Sequence, residues 1–155
     1  MKKTLINTTE QSGINEAIVN ELSAEAMYRG LANGAQYIGL FGFQKYFLNE
    51  AANEAKHYQR LVDAANDLGF LPTYEVTTPT ISTDPAEMIN IPAEAELKLL
   101  DFYSEKATTQ TAALHQLYLE FVEIQRKSVG EIMDIKSRFD LGGDIYMFDN
   151  YLGSL

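Results

Sequence analysis

Cysteine is absent from the 155 residues, which excludes disulfides, thiolate nucleophiles and iron–sulfur clusters and suits a reducing compartment. Basic residues are few: 12 Lys and Arg stand against 22 Asp and Glu, a formal charge of -10 at pH 7. Such a surface repels phosphate backbones and anionic lipid, so neither nucleic acid nor a membrane is an expected partner, whereas small cations are. Long apolar runs are missing too. Only Leu5 and Ile6 stand where a signal peptide would need an apolar core, and no later segment is long enough to cross a bilayer, so cytoplasm is the expected location.

What is present is ordinary for a folded chain: 46% of residues are apolar and 22% charged. A chain of this length buries roughly two thirds of the surface exposed when unfolded, enough for a core that holds a polar site. One domain is expected over residues 1–155.

The four prolines all fall between residues 72 and 92, and they divide the chain into two helical halves. Helical spacing runs from about Glu10 to Ile38, the glycines of "GLFGF" at 39–43 suggest a turn, and the pattern resumes from Gln44 to Leu68. Gly69 ends that helix. Residues 70–91 read as a long loop crossing from one end of a structure to the other, with Pro92 in the first turn of a third helix. From Ala93 to Asp140 a single helix would be roughly 72 Å long, so a fold-back is expected in "TTQTAALHQ" at 108–116. "DLGGD" ends the fourth helix, and the last eleven residues suggest a short fifth. The predicted class is all-α: a four-helix bundle with one long crossover and a short C-terminal fifth helix.

Steps of three and four along the first helix give Ile14, Ala17, Glu21, Ala24, Tyr28, Leu31, Ala35 and Ile38, with Glu21 the sole charge. On the second they give Phe47, Ala51, Glu54, Tyr58, Leu61, Ala65 and Leu68, with Glu54 alone. The fourth offers Leu114, Tyr118, Phe121, Gln125, Ser128, Ile132, Ile135 and Phe139. On the third, Leu99 and Phe102 lead to Glu105, followed by Thr109 and Ala112. His115 falls in the expected turn and reads as solvated.

An inward carboxylate without a partner costs several kcal/mol and tends to take up a proton, so three of them ask for a cation. Glu54 and His57, at i and i+3, share one helix face and can reach one ion together. With Glu21 and Glu105 they make an oxygen-rich set with one nitrogen, suited to iron or manganese. Glu54 could bridge two ions about 3.5 to 4 Å apart. Taken singly, each of these residues has a plainer reading: a salt-bridged glutamate, a core tyrosine at Tyr28, a hydrogen-bonded core amide at Gln125. Their coincidence on facing stripes is what points to a metal site.

The residues resemble the non-haem ferritins, whose bundles are themselves the standard example of this architecture. Glu21, Tyr28 seven residues later, and Glu54-x-x-His57 reproduce the family's order and spacing, and "NEAIVNEL", "HYQRLVDAANDLGFLP" and "GGDIYMFDNYLGSL" look like ferritin text. "SEKATTQ" resembles the third-helix segment that carries a second-iron ligand, which assigns that role to Glu105, and Gln125 falls where ferritins place a glutamine close to the second iron. The resemblance implies a di-iron site in which Glu54 bridges, Glu21 and His57 complete the first ion, Glu105 and Gln125 serve the second, and Tyr28 lies close by. It further implies ferroxidase chemistry with Fe(II) and O2 or H2O2, ferric storage, and a homo-oligomeric cage of 24 subunits.

Several departures shape that expectation. Arg126 stands where a second Glu-x-x-His pair would need histidine, and Ala55 where haem-binding relatives carry methionine, so no haem is expected. Asn53, Ile124, Lys127 and Ser128 occupy places where some bacterial ferritins use glutamates for a third iron. Glu105 and Gln125 are only 20 residues apart, which suggests third and fourth helices trimmed by about two turns each. A di-metal oxidase of the same fold without storage, and a purely structural bundle, are the alternative readings.

Overall fold

Asn7 starts the first helix. Its side chain accepts from the Glu10 N–H at 2.8 Å while Glu10 Oε1 accepts from the Asn7 N–H at 3.2 Å, so two orphan backbone donors are satisfied reciprocally. Helix α1 then runs Thr8–Tyr37, and Gly39, at φ 81°, turns the chain into α2, Phe41–Asp67. The turn is shorter than the two glycines suggested, because Gly42 lies inside α2. Gly69, at φ 75°, ends the hairpin as expected. In this computed structural model residues 2–109 and 111–155 are described; Gln110, in the expected fold-back, and the side chain of Thr109 lie outside the described residues.

The crossover spans 68–84 and is shorter than the sequence suggested, because α3 begins at Pro85 instead of Pro92. Asp84 precedes it and accepts from the Ala86 N–H at 2.9 Å, and proline suits the first helical position, where its missing N–H has no helical role. Helix α3 is Pro85–Thr109, with Pro92 inside it, and α4 is Ala112–Asp140. These helices have 25 and 29 residues against 30 and 27 for α1 and α2. His115 is half-buried, not solvated: its Nδ1–H donates to the Ala107 carbonyl and ties the end of α3 to the start of α4.

Helix α5, Ile145–Gly153, packs on α2. Leu40 offers no side-chain cap to α2, and Asp149 of α5 supplies one, its Oδ1 accepting from the Phe43 N–H at 2.8 Å. The approach is close enough that a Cβ on Gly42 would lie 1.8 Å from the Asp149 carbonyl oxygen. Likewise the crossover lies directly on α1, where a Cβ on Gly30 would lie 1.8 Å from the Thr80 carbonyl oxygen. Glycine at both positions lets backbone meet backbone.

Helix α1 packs with α2, α3 with α4, and α1 also meets α3. The buried apolar residues form two clusters, one around Tyr28, Leu31, Phe43, Phe47, Met88, Ile89 and Ile132, the other around Ile14, Ile18, Leu61, Tyr103, Tyr118 and Phe121. On α2, α3 and α4 the break between them falls at a polar residue, Glu54, Glu96 and Gln125, and on α1 Glu21 stands between Ile18 and Ala24 of the second cluster, just before the break; all four are buried. This all-α bundle of four long helices, one crossover and a short fifth helix therefore carries a polar layer across its middle. Among the described residues no helix is long and apolar enough to cross a membrane.

Candidate metal centre

Glu21 of α1 is fully buried, Glu54 of α2 is 1% exposed, and His57 stands one turn beyond Glu54 with a little exposure. One ligand atom from each of the three lies within 4.8 Å of the others. His57 Nδ1 is 3.1 Å from Glu54 Oε2 and 3.6 Å from Glu21 Oε2. Glu21 Oε1 accepts from the Tyr103 hydroxyl at 2.6 Å, while its Oε2, buried, has no hydrogen-bond partner.

A second group completes the layer. Glu96 of α3, 1% exposed, takes the Tyr28 hydroxyl on Oε1 at 2.5 Å, and Gln125 Nε2 donates to its Oε2 and, at 3.1 Å, to its backbone carbonyl. Gln125 and Tyr28 are therefore both in the layer, bonded to a carboxylate that the sequence reading had not chosen.

The structure does not bring Glu105 into this layer. Glu105 is exposed, and nine residues at 100° each put it on the face of α3 opposite Glu96. The inward stripe is Met88, Ile89, Ala93, Glu96, Leu99, Tyr103 and Ala107. Stepping Leu99, Phe102, Glu105 takes two threes in succession and turns about 120° away from that stripe. With Glu96 as the α3 carboxylate its separation from Gln125 is 29 residues, so the 20-residue spacing that suggested trimmed helices falls away. One sequence signal could have found Glu96: Glu96 and Tyr103 repeat the seven-residue spacing of Glu21 and Tyr28.

The electrostatics show three carboxylates competing for too little positive charge. Burial raises the Glu54 carboxyl well above the usual range, with the neighbouring Glu21 adding to it and His57 opposing. Burial also works to raise Glu21, but the neighbouring His57 and Glu54 and the bond from Tyr103 outweigh it and hold this carboxyl below its ordinary value. Burial raises Glu96 against the pull of Tyr28 and Gln125. For His57 burial favours the neutral ring, yet the carboxylates of Glu21, 3.6 Å away, and Glu54, at 3.1 Å, prevail and lift it to about 10. One imidazolium and shared protons balance the layer, and a multiply charged cation would do so more completely. An orphaned buried carboxylate oxygen beside an imidazole nitrogen and a second carboxylate fits a metal ion of the iron or manganese kind.

A family model described as Ferritin-like domain matches residues 11–139. The chain belongs to the ferritin family. No curated protein matches it in sequence. Among solved structures it is similar to an open-pore ferritin from the hyperthermophilic archaeon Archaeoglobus fulgidus, at 20% identity, with 96% of this chain and 98% of that one covered and a TM-score of 0.89. It is similar to a closed form of the Archaeoglobus fulgidus ferritin engineered by site-directed mutagenesis, at 20% identity, 96% of each chain and a TM-score of 0.89. A humanized archaeal ferritin matches at 18% identity, over 96% of this chain and 97% of that one, with a TM-score of 0.89. The ferritin fold is thus shown over nearly the whole chain, and family and fold together support a role in iron storage.

Proposed function

We propose that this ferritin, acting as one domain over residues 1–155 in the cytoplasm, is a ferroxidase that oxidises Fe(II) at two neighbouring positions inside the bundle and stores the ferric product. The observation that carries the reading is the trio of buried Glu21 and Glu54 with half-buried His57, in which the buried Glu21 Oε2 has no hydrogen-bond partner. Glu21 and His57 would serve the first ion, Glu96 and Gln125 the second, with Glu54 shared. Glu96 takes the role first given to Glu105. Each Fe(II) gives up one electron to O2 or H2O2. Anionic oxygen ligands favour the ferric product, because each added positive charge on iron is better compensated by carboxylate than by water.

Storage also needs an enclosed volume, which one bundle does not supply, so the reading includes a closed homo-oligomer, of 24 copies by family resemblance. Tyr146, at 66% exposure, and Met147, at 74%, leave an apolar face on α5 that other copies could cover. The archaeal relative named for its open pore supports the view that a ferritin shell need not be tightly closed.

The test is aerobic Fe(II) loading. The parent should oxidise Fe(II) faster than buffer and retain many irons per chain, and Glu54→Ala should abolish the acceleration. Retention of two irons per chain would point to a di-metal oxidase without storage, and retention of none to a scaffold.

A further inference from the structure

Helices α1 and α3 carry the same spacing, a glutamate and, seven residues on, a tyrosine: Glu21 with Tyr28, Glu96 with Tyr103. Seven residues are close to two turns, so each pair lies on one face, too far apart to bond within its own helix. Instead the pairs cross. Tyr28 of α1 donates to Glu96 of α3, and Tyr103 of α3 donates to Glu21 of α1, at 2.5 and 2.6 Å. All four side chains are buried. A phenol has one proton to donate, and each spends it on one carboxylate oxygen.

Resting on the metal-binding reading above, we propose that Tyr103 is a positioning residue for the first metal ion, holding Glu21 Oε1 so that Oε2 is presented to the ion beside His57 and Glu54. The geometry carries this. The carboxylate has two oxygens; one is anchored by Tyr103 and the other is the orphaned, fully buried atom within reach of His57 Nδ1. A terminal carboxylate torsion is soft and roughly two-fold, so without the anchor Glu21 can turn its free oxygen away or chelate through both. Tyr103 is itself immobilised, its ring packed against Phe121 at 5.0 Å, Phe102 at 5.1 Å and Tyr118 at 6.3 Å between centroids. Its hydroxyl therefore arrives at Glu21 from a fixed direction. By the same logic Tyr28 anchors Glu96 for the second ion, and the crossed pair lets each position be set by a tyrosine from the opposite helix.

The experiment is anaerobic titration with Co(II), a redox-stable stand-in whose visible absorption reports its coordination. Parent, Y103F and Y28F are compared after circular dichroism and thermal melts establish that each is folded. The parent should bind two ions per chain inside the bundle. Since a hydrogen bond to a charged group is worth enough to shift binding by about tenfold or more, Y103F should weaken one of the two ions by about that factor and alter its absorption band, leaving the other nearly unchanged. Y28F should do the reverse. In a Glu21→Gln background, Y103F should have no further effect on Co(II) binding. If Y103F is poorly folded, 3-fluorotyrosine at position 103, which keeps the donor but changes its strength, should shift the same band. Two ions bound by the parent with Y103F unchanged in affinity and spectrum would overturn the positioning role while leaving the metal centre intact. No Co(II) bound by the parent would overturn the metal reading and this inference together.

Discussion

Glu96 and Glu105 differ by nine residues on one helix and by the whole environment of the side chain. Glu96 is surrounded by Tyr28, Gln125 and the nearby Glu54, so truncating it removes the only α3 carboxylate that the described residues place in the polar layer. Glu96→Ala is expected to lose one of two bound ions and to slow Fe(II) oxidation by at least an order of magnitude, as loss of a charged partner worth about 1.5–3 kcal/mol implies. Glu105→Ala should alter neither. Stopped-flow oxidation of the two variants decides the assignment, and a slow Glu105→Ala beside a normal Glu96→Ala would reverse it. Gln125 is a different kind of neighbour: neutral and buried, it bonds to both the carboxylate and the carbonyl of Glu96, and so orients that carboxylate without adding charge.

At the level of elements, two backbone contacts hold the helices in register. The crossover rests on α1 at Gly30, where any Cβ collides with the Thr80 carbonyl, and overpacking of this kind costs about 1–3 kcal/mol. Gly30→Ala should therefore lower the melting temperature by several degrees, about 2–4 °C per kcal/mol for a chain of this size. An unchanged melt would mean that the crossover is not seated there. Helix α5 contributes differently, by capping α2 through Asp149. Asp149→Ala should cost about 1 kcal/mol, the usual value of an N-terminal cap, while leaving the metal stoichiometry at its parental value. Calorimetry with a parallel metal titration would separate the two effects, and a loss of bound metal would show that α5 reaches further into the bundle than its contacts with α2.

For the molecule as a whole, the polar layer makes stability depend on protons when no metal is bound. His57 is raised from 6.5 to about 10, so the folded state binds its proton more tightly than the unfolded chain does. That stability is fully present below pH 6.5 and is lost as pH rises through about 10. Glu50, raised by burial and then by Glu131 and Glu96 to about 7, acts in the same sense at lower pH. Melts in chelator should fall between pH 6.5 and 10, with His57→Gln flattening the slope; a melting point that rises across that window would contradict the charge balance described. The proposed assembly is tested at the same scale. Leu152 of α5 is buried and Ile145, Phe148 and Tyr151 pack on the chain's own core, while Tyr146, Met147 and Leu155 remain exposed. The helix therefore has one face packed on its own chain and one that its own chain leaves exposed. Deletion after Gly143 should give smaller species than the intact chain by light scattering, and a stable monomer of the intact chain at all salt and iron concentrations would remove the storage reading.

Local chemistry determined much of this protein before any long-range contact is considered. The Gly39 and Gly69 turns and the stripes of α1, α2 and α4 follow from spacing and turn preference, and they placed Glu21, Glu54 and Gln125 facing inward, where the structure buries them, with His57 half-buried beside Glu54. Tertiary structure decided the phase of α3. Leu97, Leu99, Leu100, Phe102 and Tyr103 spread apolar residues around more than one face of that helix, so periodicity alone admits two stripes, one through Glu96 and one toward Glu105. Packing against α1 and α4 selects the first, leaving Leu97 40% exposed and burying Tyr103 completely. The crossed tyrosine bonds and the Asp149 cap were likewise beyond local reading, because each joins residues at least 68 positions apart and exists only once the helices are packed.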